Sequence, residues 1–394
     1  MIAKLHTLLE NSYEEMVAIR RYLHQHPELS FQETKTAAYI TDFYQQLGIE
    51  VKSGIGGNGV VARISGAKPG KTVALRADFD ALPIQDEKDV PYKSTVPGVM
   101  HACGHDGHTA TLLILAKALH TMKDELEGDY VLIHQHAEEY APGGAKPMIE
   151  DGCLDGVDVI FGTHLWATVP TGTIQHRVGP FMAAADRFEI TLFGQGGHGA
   201  QPHKTKDAIV IGAQLVSNLQ QIVSRRVSPL DSAVVTIASF AAENAFNVIA
   251  DKATIGGTVR TFSEDVRAFI AEEIERIVKG TCLSGNCTYE YMYDYGYPAV
   301  VNHETETHLL VEAAATVAEV DTIEETLPDM TGEDFSYYLQ NVKGTFFFTG
   351  AKPYPDFPYG HHHPKFDIDE KAMLIAAKTL GSAAISYHQS SENK

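Results

Sequence analysis

Within the nine residues from Met100 to His108 the chain carries His101, Cys103, His105 and His108, with Asp106 among them. A thiolate and a neutral imidazole are good ligands for first-row metals, and the Cys-x-His spacing lets one short loop supply both. Gly104 and Gly107 allow the close turn that this needs. The run Thr109-Ala-Thr-Leu-Leu-Ile-Leu-Ala-Lys-Ala-Leu119 that follows is a good helix former. A metal-binding loop that opens a helix is the simplest reading. A lone histidine there would more often be an incidental core residue, but four metal-capable side chains and a carboxylate in one loop point to a site.

Three other places end in groups of the same chemistry. The apolar run Tyr130-Val-Leu-Ile-His-Gln-His136 leads into Glu138-Glu139, Asp158-Val-Ile-Phe-Gly-Thr-His164 ends in a histidine, and His361-His-His363 stands near the C-terminus. Taken together, Cys103, His105, Glu139, His164 and one histidine of the 361–363 triplet are too many ligands for one open tetrahedral zinc. They suit two metals sharing a bridging ligand, with the ions about 3.5–4 Å apart. Cys103 is the natural bridge. His105 and His164 then belong to one metal, Glu139 and the C-terminal histidine to the other, and each ion keeps a position open for water. Neighbouring side chains at a strand end point in different directions, so Glu139 can bind metal while Glu138 accepts a proton as general base. Asp78 ends another strand and Asp80 follows it; they are candidates for orienting a ligand histidine, or else helix-entry or turn carboxylates.

The elements that must position these groups alternate. Residues 4–25 and 33–46 read as helices, 60–64 and 72–78 as strands, 109–119 as a helix, and 130–136 and 158–164 as strands. Strands alternating with helices predict an α/β fold with a doubly wound, mostly parallel sheet, and such sheets place their sites at the carboxyl ends of the strands. Near residue 185 the pattern changes to strand 187–193, helix 207–226, strands 233–240 and 254–261, a helix from Ser263 to Lys279, and strand 288–293. The order β-α-β-β-α-β is that of a ferredoxin-like α+β domain. The predicted organisation is a catalytic domain over 1–185 and 298–394 with a second domain, 186–297, inserted in it. The returning chain supplies a helix over 304–319, another opened by Met330 to Phe335, a buried strand over 344–348, and a last helix to about 388.

Composition bounds what such a protein binds. The chain has 394 residues, 44% hydrophobic and 21% charged, with 31 basic and 51 acidic side chains for a net charge of −20. That balance argues against nucleic acid and anionic membranes as partners. Four cysteines are too few for a disulfide scaffold, although Cys282 and Cys287 could pair by spacing. No run approaches 18 apolar residues, and the N-terminus has no signal-peptide pattern, so the expected location is the cytoplasm.

Motifs along nearly the whole chain carry a resemblance. They are residues 20–29 (Arg-Arg-Tyr-Leu-His-Gln-His-Pro-Glu-Leu), 76–83 (Arg-Ala-Asp-Phe-Asp-Ala-Leu-Pro), 100–108, 136–139, Gly162-Thr-His-Leu165, Gly196-Gly-His198, Pro202-His203, Gly257-Thr-Val-Arg260, Thr331-Gly-Glu-Asp-Phe335 and 362–366. In order and spacing the chain resembles the di-metal aminoacylase/carboxypeptidase family of amidohydrolases. It is most similar to the branch of bacterial N-acyl-amino-acid (hippurate-type) hydrolases and plant indole-acetyl-amino-acid hydrolases. The resemblance implies Cys103, His105, Glu139, His164 and His362 as ligands of two divalent ions, zinc or manganese, and Glu138 as base. It selects His362 because the family's ligand stands two residues before the proline. In the wider family an aspartate bridges the metals and a His-x-Asp motif supplies a ligand; here Cys103 and Arg76-Ala-Asp78 stand in those places. The inserted domain becomes a lid that carries homodimer, or higher homo-oligomer, contacts. His198 would polarise the scissile carbonyl, from the partner subunit in relatives, while Asn247 and Arg260 would hold the substrate carboxylate. The function so implied is hydrolysis of the amide of an N-acyl amino acid or short peptide. A metallopeptidase acting on small, cell-wall-type peptides and a non-catalytic metal-binding protein on the same fold are the alternatives.

Overall fold

The computed structural model describes residues 1–389 and divides into two compact units. The first comprises residues 1–181, 301–327 and 334 onward; the second comprises 182–300 with 328–333.

The first unit is built on an eight-stranded sheet. At its centre lie Glu127–Gln135, Lys68–Asp78, Val159–Pro170 and Lys343–Lys352, adjacent in that order and all parallel. Their inner residues form continuous apolar runs such as Val73-Ala-Leu75 and Phe346-Phe-Phe348, all buried, as expected of strands covered on both faces. Antiparallel strands finish the edges: Gly59–Ser65 and Glu50–Ile55 on one side, Thr173–His176 on the other, the last paired in parallel with Thr322–Glu325. Three of these outer strands, Glu50–Ile55, Thr173–His176 and Thr322–Glu325, are short or largely exposed and gave little apolar pattern in the sequence.

Helices His105–Thr121 and Lys371–Gln389 are buried nearly all round. Each packs between the sheet and outer helices, so neither shows a one-sided apolar stripe. Leu112, Leu113, Ile114 and Leu115 are all at most 1% exposed. Truncating a leucine in such a place costs about 2–5 kcal/mol. The single N-terminal helix expected over 4–25 is two, Ile2–Asn11 and Tyr13–Gln25. The break at Ser12, where φ is −104° and ψ is 9°, re-aims the chain so that Leu5 and Leu9 as well as Met16, Ile19 and Leu23 reach one core.

The second unit is a four-stranded antiparallel sheet with strands in the order Ala233–Ala241, Lys252–Thr261, Ala184–Phe193, Thr288–Tyr297. In chain order that is 2-3-1-4, the ferredoxin-like arrangement. Helices Ala208–Leu219 and Glu264–Gly285 supply Ile211, Leu215, Ile270, Ile274 and Val278 to a core shared with Phe188, Ile190, Ile255 and Val259. Ser263 caps the second helix by accepting from Val266 N–H at 3.5 Å. The helix expected over 207–226 stops at Leu219, and a separate wider turn, Ile222–Arg226, follows.

Candidate metal centre

Five segments of the first unit converge at the carboxyl ends of its parallel strands. The loop after Lys68–Asp78 brings Asp80, the loop before helix His105–Thr121 brings Cys103, and the end of Glu127–Gln135 leads to Glu138 and Glu139. His164 lies within the strand Val159–Pro170, and His361 and His362 follow Lys343–Lys352. Gly104 takes φ +100°, a conformation that suits glycine, as it turns the chain from Cys103 into the helix. Two non-glycine residues of these segments also sit at positive φ: Ala137 at +52°, just before the glutamate pair, and His362 at +64°. Strained backbone of this kind gathers where side chains must be aimed.

Hydrogen bonds to one ring nitrogen decide what the other can do. The Nδ1 of His105 lies 3.1 Å from the Asp80 carbonyl oxygen and 3.1 Å from its Oδ1. That nitrogen therefore holds a proton, and in the neutral ring the lone pair sits on Nε2. The Nδ1 of His164 donates to the Leu165 carbonyl oxygen at 3.1 Å, which leaves the lone pair of Nε2 directed at Cys103 Sγ, 3.3 Å away. His108 is arranged the other way. Leu165 N–H donates to its Nε2 at 2.9 Å, and its Nδ1 donates to Asp78 Oδ1 at 2.6 Å, so both nitrogens are used. In His361, Ala167 N–H donates to Nε2 at 3.1 Å. His108 and His361 in these forms offer no lone pair to a metal, although both stand among the ligand-type groups.

The candidate ligands Cys103, His105 and Glu139 have ligand atoms within 4.8 Å of one another. His105 Nε2 and Glu139 Oε1 lie 3.9 Å apart, both buried and both without a hydrogen-bond partner among the described residues. With His105 neutral these are two buried acceptors facing each other, which costs free energy unless a cation, a proton or a metal ion, lies between them. The other oxygen, Glu139 Oε2, is 3.3 Å from His362 Nε2, whose side chain is 51% exposed. Glu138 is 8% exposed, and one of its carboxylate oxygens lies within 4.8 Å of one of Asp334. The donor set is thus two or three imidazoles, a thiol and a carboxylate, chemistry that fits borderline and first-row divalent ions.

The electrostatics agree with that fit. Burial raises the Cys103 thiol well above its ordinary range, and Glu139, Glu138 and Asp78 push it further. Burial works against a charged His105, but Asp78, Asp80 and Glu139 outweigh it and hold the imidazole at about 10. Burial, then His108 and His361, hold His164 well below the usual imidazole range. The carboxylate of Asp78 is buried too, yet His105, Arg76 and His108 keep it far below the usual range. A metal ion bound there would take the place of these protons.

A network that the sequence reading did not pick out carries Asp78. Arg76 donates to Asp78 Oδ2 at 2.7 Å, to Asp334 Oδ1 at 2.8 Å and to Gln135 Oε1 at 2.9 Å. Burial raises Asp334 to about 6 against the pull of Arg76 and Gln135. The signal was present in the sequence as the spacing of residues 76, 78 and 80, since alternate residues of a strand share a face.

Residues 74–386 match the pattern of peptidase family M20/M25/M40. The chain belongs to that family. YhaA of Bacillus subtilis (strain 168), whose name gives it provisionally as an amidohydrolase, is 64% identical over 382 residues, 97% of this chain and 96% of that protein. An N-acyl-L-amino acid amidohydrolase of Geobacillus stearothermophilus is 50% identical over 297 residues, covering 75% of this chain and 80% of its own. Among solved structures, the YXEP protein of Bacillus subtilis, described as a dinuclear metal binding peptidase, superposes with a TM-score of 0.84 at 35% identity over 96% of this chain and 99% of that one. The family is one of hydrolases, and this chain is a hydrolase with it.

The remaining three candidates all lie in the second unit. His198 is exposed on the short strand Gly197–His198, paired with Val248–Ile249. Ala200 N–H donates to its Nδ1 at 3.0 Å, so its Nε2 carries the proton. Asn247 is exposed beside it, its carbonyl accepting from Gly199 N–H at 2.8 Å. Arg260 is half-buried and donates to the Met330 carbonyl at 3.1 Å and to the Thr258 hydroxyl. No helix among the described residues is long and apolar enough to cross a membrane.

Proposed function

We propose that this protein hydrolyses the amide bond of N-acyl amino acids with two divalent ions held by Cys103, His105, Glu139, His164 and His362. The observation that carries this reading is the pair of buried atoms without a hydrogen-bond partner among the described residues, His105 Nε2 and Glu139 Oε1, beside Cys103 and a second, buried glutamate. Ions bound there would lower the pKa of water toward about 7 and polarise the scissile carbonyl. A thiolate ligand at Cys103 would suit zinc, and manganese is the alternative. Glu138 takes the proton of the attacking water and returns it to the leaving amine. His198, exposed and with Nε2–H free to serve as donor by this tautomer, would donate to the developing oxyanion. Asn247 and Arg260 hold the substrate carboxylate.

In this reading the second unit is a lid that also joins subunits, and the protein works as a homodimer or higher homo-oligomer. It works in the cytoplasm, a reducing compartment that suits four free cysteines. The second reading, a peptidase acting on small peptides, draws on the name of the YXEP structure. Chelator-stripped protein, reloaded with zinc or manganese, decides between them. The proposal expects metal-dependent release of acetate or benzoate from acyl amino acids, faster than cleavage of Gly- or Ala-containing dipeptides. Faster dipeptide cleavage would favour the peptidase reading.

A further inference from the structure

His361 stands in the sequence beside a proposed ligand and in space beside the proposed bridge. Its Nδ1 lies 3.7 Å from Cys103 Sγ. A histidine so close to a thiol invites assignment as another ligand. The other side of the ring excludes this. Ala167 N–H donates to Nε2 at 3.1 Å, so Nε2 contributes its lone pair. A neutral imidazole has one N–H and one lone pair; the proton must then be on Nδ1, the nitrogen facing sulfur. A doubly protonated ring would set Nε2–H against Ala167 N–H, donor against donor.

The surroundings fix this orientation. The ring is tilted against Trp166 at 4.6 Å between centroids and against Phe366 at 5.1 Å, and stands edge-on to His164 at 5.1 Å. The backbone partner, Ala167, belongs to the strand Val159–Pro170 that also carries His164. One strand thus supplies a candidate ligand and the hydrogen bond that sets the tautomer of its neighbour.

We infer that His361 is a positioning residue that donates an Nδ1–H···S hydrogen bond to the metal-bound thiolate of Cys103. The inference rests on the reading of Cys103 as a metal ligand. A donor on the sulfur withdraws charge from it, lowers the energy of its lone pairs and holds its direction, as partners of ligands do in metal sites generally. The wild-type residue therefore stabilises a thiolate that is otherwise crowded by Glu138 and Glu139.

Cobalt(II) is the probe, because a thiolate bound to it gives a sulfur-to-metal charge-transfer band. In His361→Leu the band should move to longer wavelength, and cobalt affinity should fall about 10–100-fold. In His361→Asn, whose amide nitrogen takes the place of Nδ1, both should return toward wild type. A second measurement uses unaltered zinc-loaded protein: long-range proton–nitrogen spectra of labelled histidine should show His361 protonated at Nδ1. An unmoved band in the leucine variant, affinity loss without a band shift, or a proton on Nε2 would each overturn the inference while leaving the metal centre standing. Wild type that binds cobalt with no thiolate band would instead remove Cys103 from the ligands and overturn both.

Discussion

Asp80 holds His105 by two acceptors at once, its backbone carbonyl and its Oδ1, each 3.1 Å from Nδ1. Its other oxygen, Oδ2, accepts from Ser30 Oγ at 2.7 Å and from the backbone N–H of Glu139 at 3.0 Å. One buried carboxylate therefore orients two proposed ligands that are 34 residues apart in the chain. Asp80→Ala should weaken metal binding about 10–100-fold, read by competition with a coloured chelator. Unchanged affinity would mean that His105 needs no such anchor, or is no ligand.

The same geometry sets a dependence on pH. In the metal-free site His105 keeps its proton up to about 10, and the Cys103 thiol is raised as well. Both must lose protons to bind metal, so at pH 7 loading should release about two protons per chain. The sign follows: below those values a rise in pH removes protons that compete with the metal, and apparent affinity climbs. Calorimetry in buffers of different ionisation enthalpy counts the protons. Release of none would contradict the assigned pair.

Glu138→Gln should keep both ions and lose about 10²–10⁴-fold in kcat, because a neutral amide cannot take a proton from water. Near-normal kcat with normal metal content would place the base elsewhere.

Much of this was legible in the sequence because a parallel sheet puts its strand ends together. Apolar runs ending in Glu138-Glu139 and in His164, and the Cys-x-His loop before an apolar helix, were enough to predict one cluster. The tautomers were not legible. Nothing in the string of residues tells that Leu165 and Ala167 aim their N–H groups at His108 and His361, since those partners lie 57 and 194 positions away. Two short outer strands were missed for a simpler reason: Thr173–His176 and Thr322–Glu325 have four residues each, too few to show a period. Ser12 illustrates the converse, a helical periodicity that runs through a real break.

If His198 serves a neighbouring subunit, two inactive variants should complement. Mixing Glu138→Gln with His198→Ala should restore activity, up to about half of the sites in mixed dimers by counting, each restored site joining Glu138 of one chain to His198 of the other. No recovery after verified subunit exchange would confine His198 to its own chain or remove it from the reaction.

The most direct test of the account is a metal titration of chelator-stripped protein, with bound ions and hydrolysis of an N-acyl amino acid measured on the same samples. Activity should be absent without metal and reach its plateau at about two ions per chain, and Cys103→Ala should fall short of that complement. Full hydrolysis by metal-free protein, or two tightly held ions in Cys103→Ala, would contradict it.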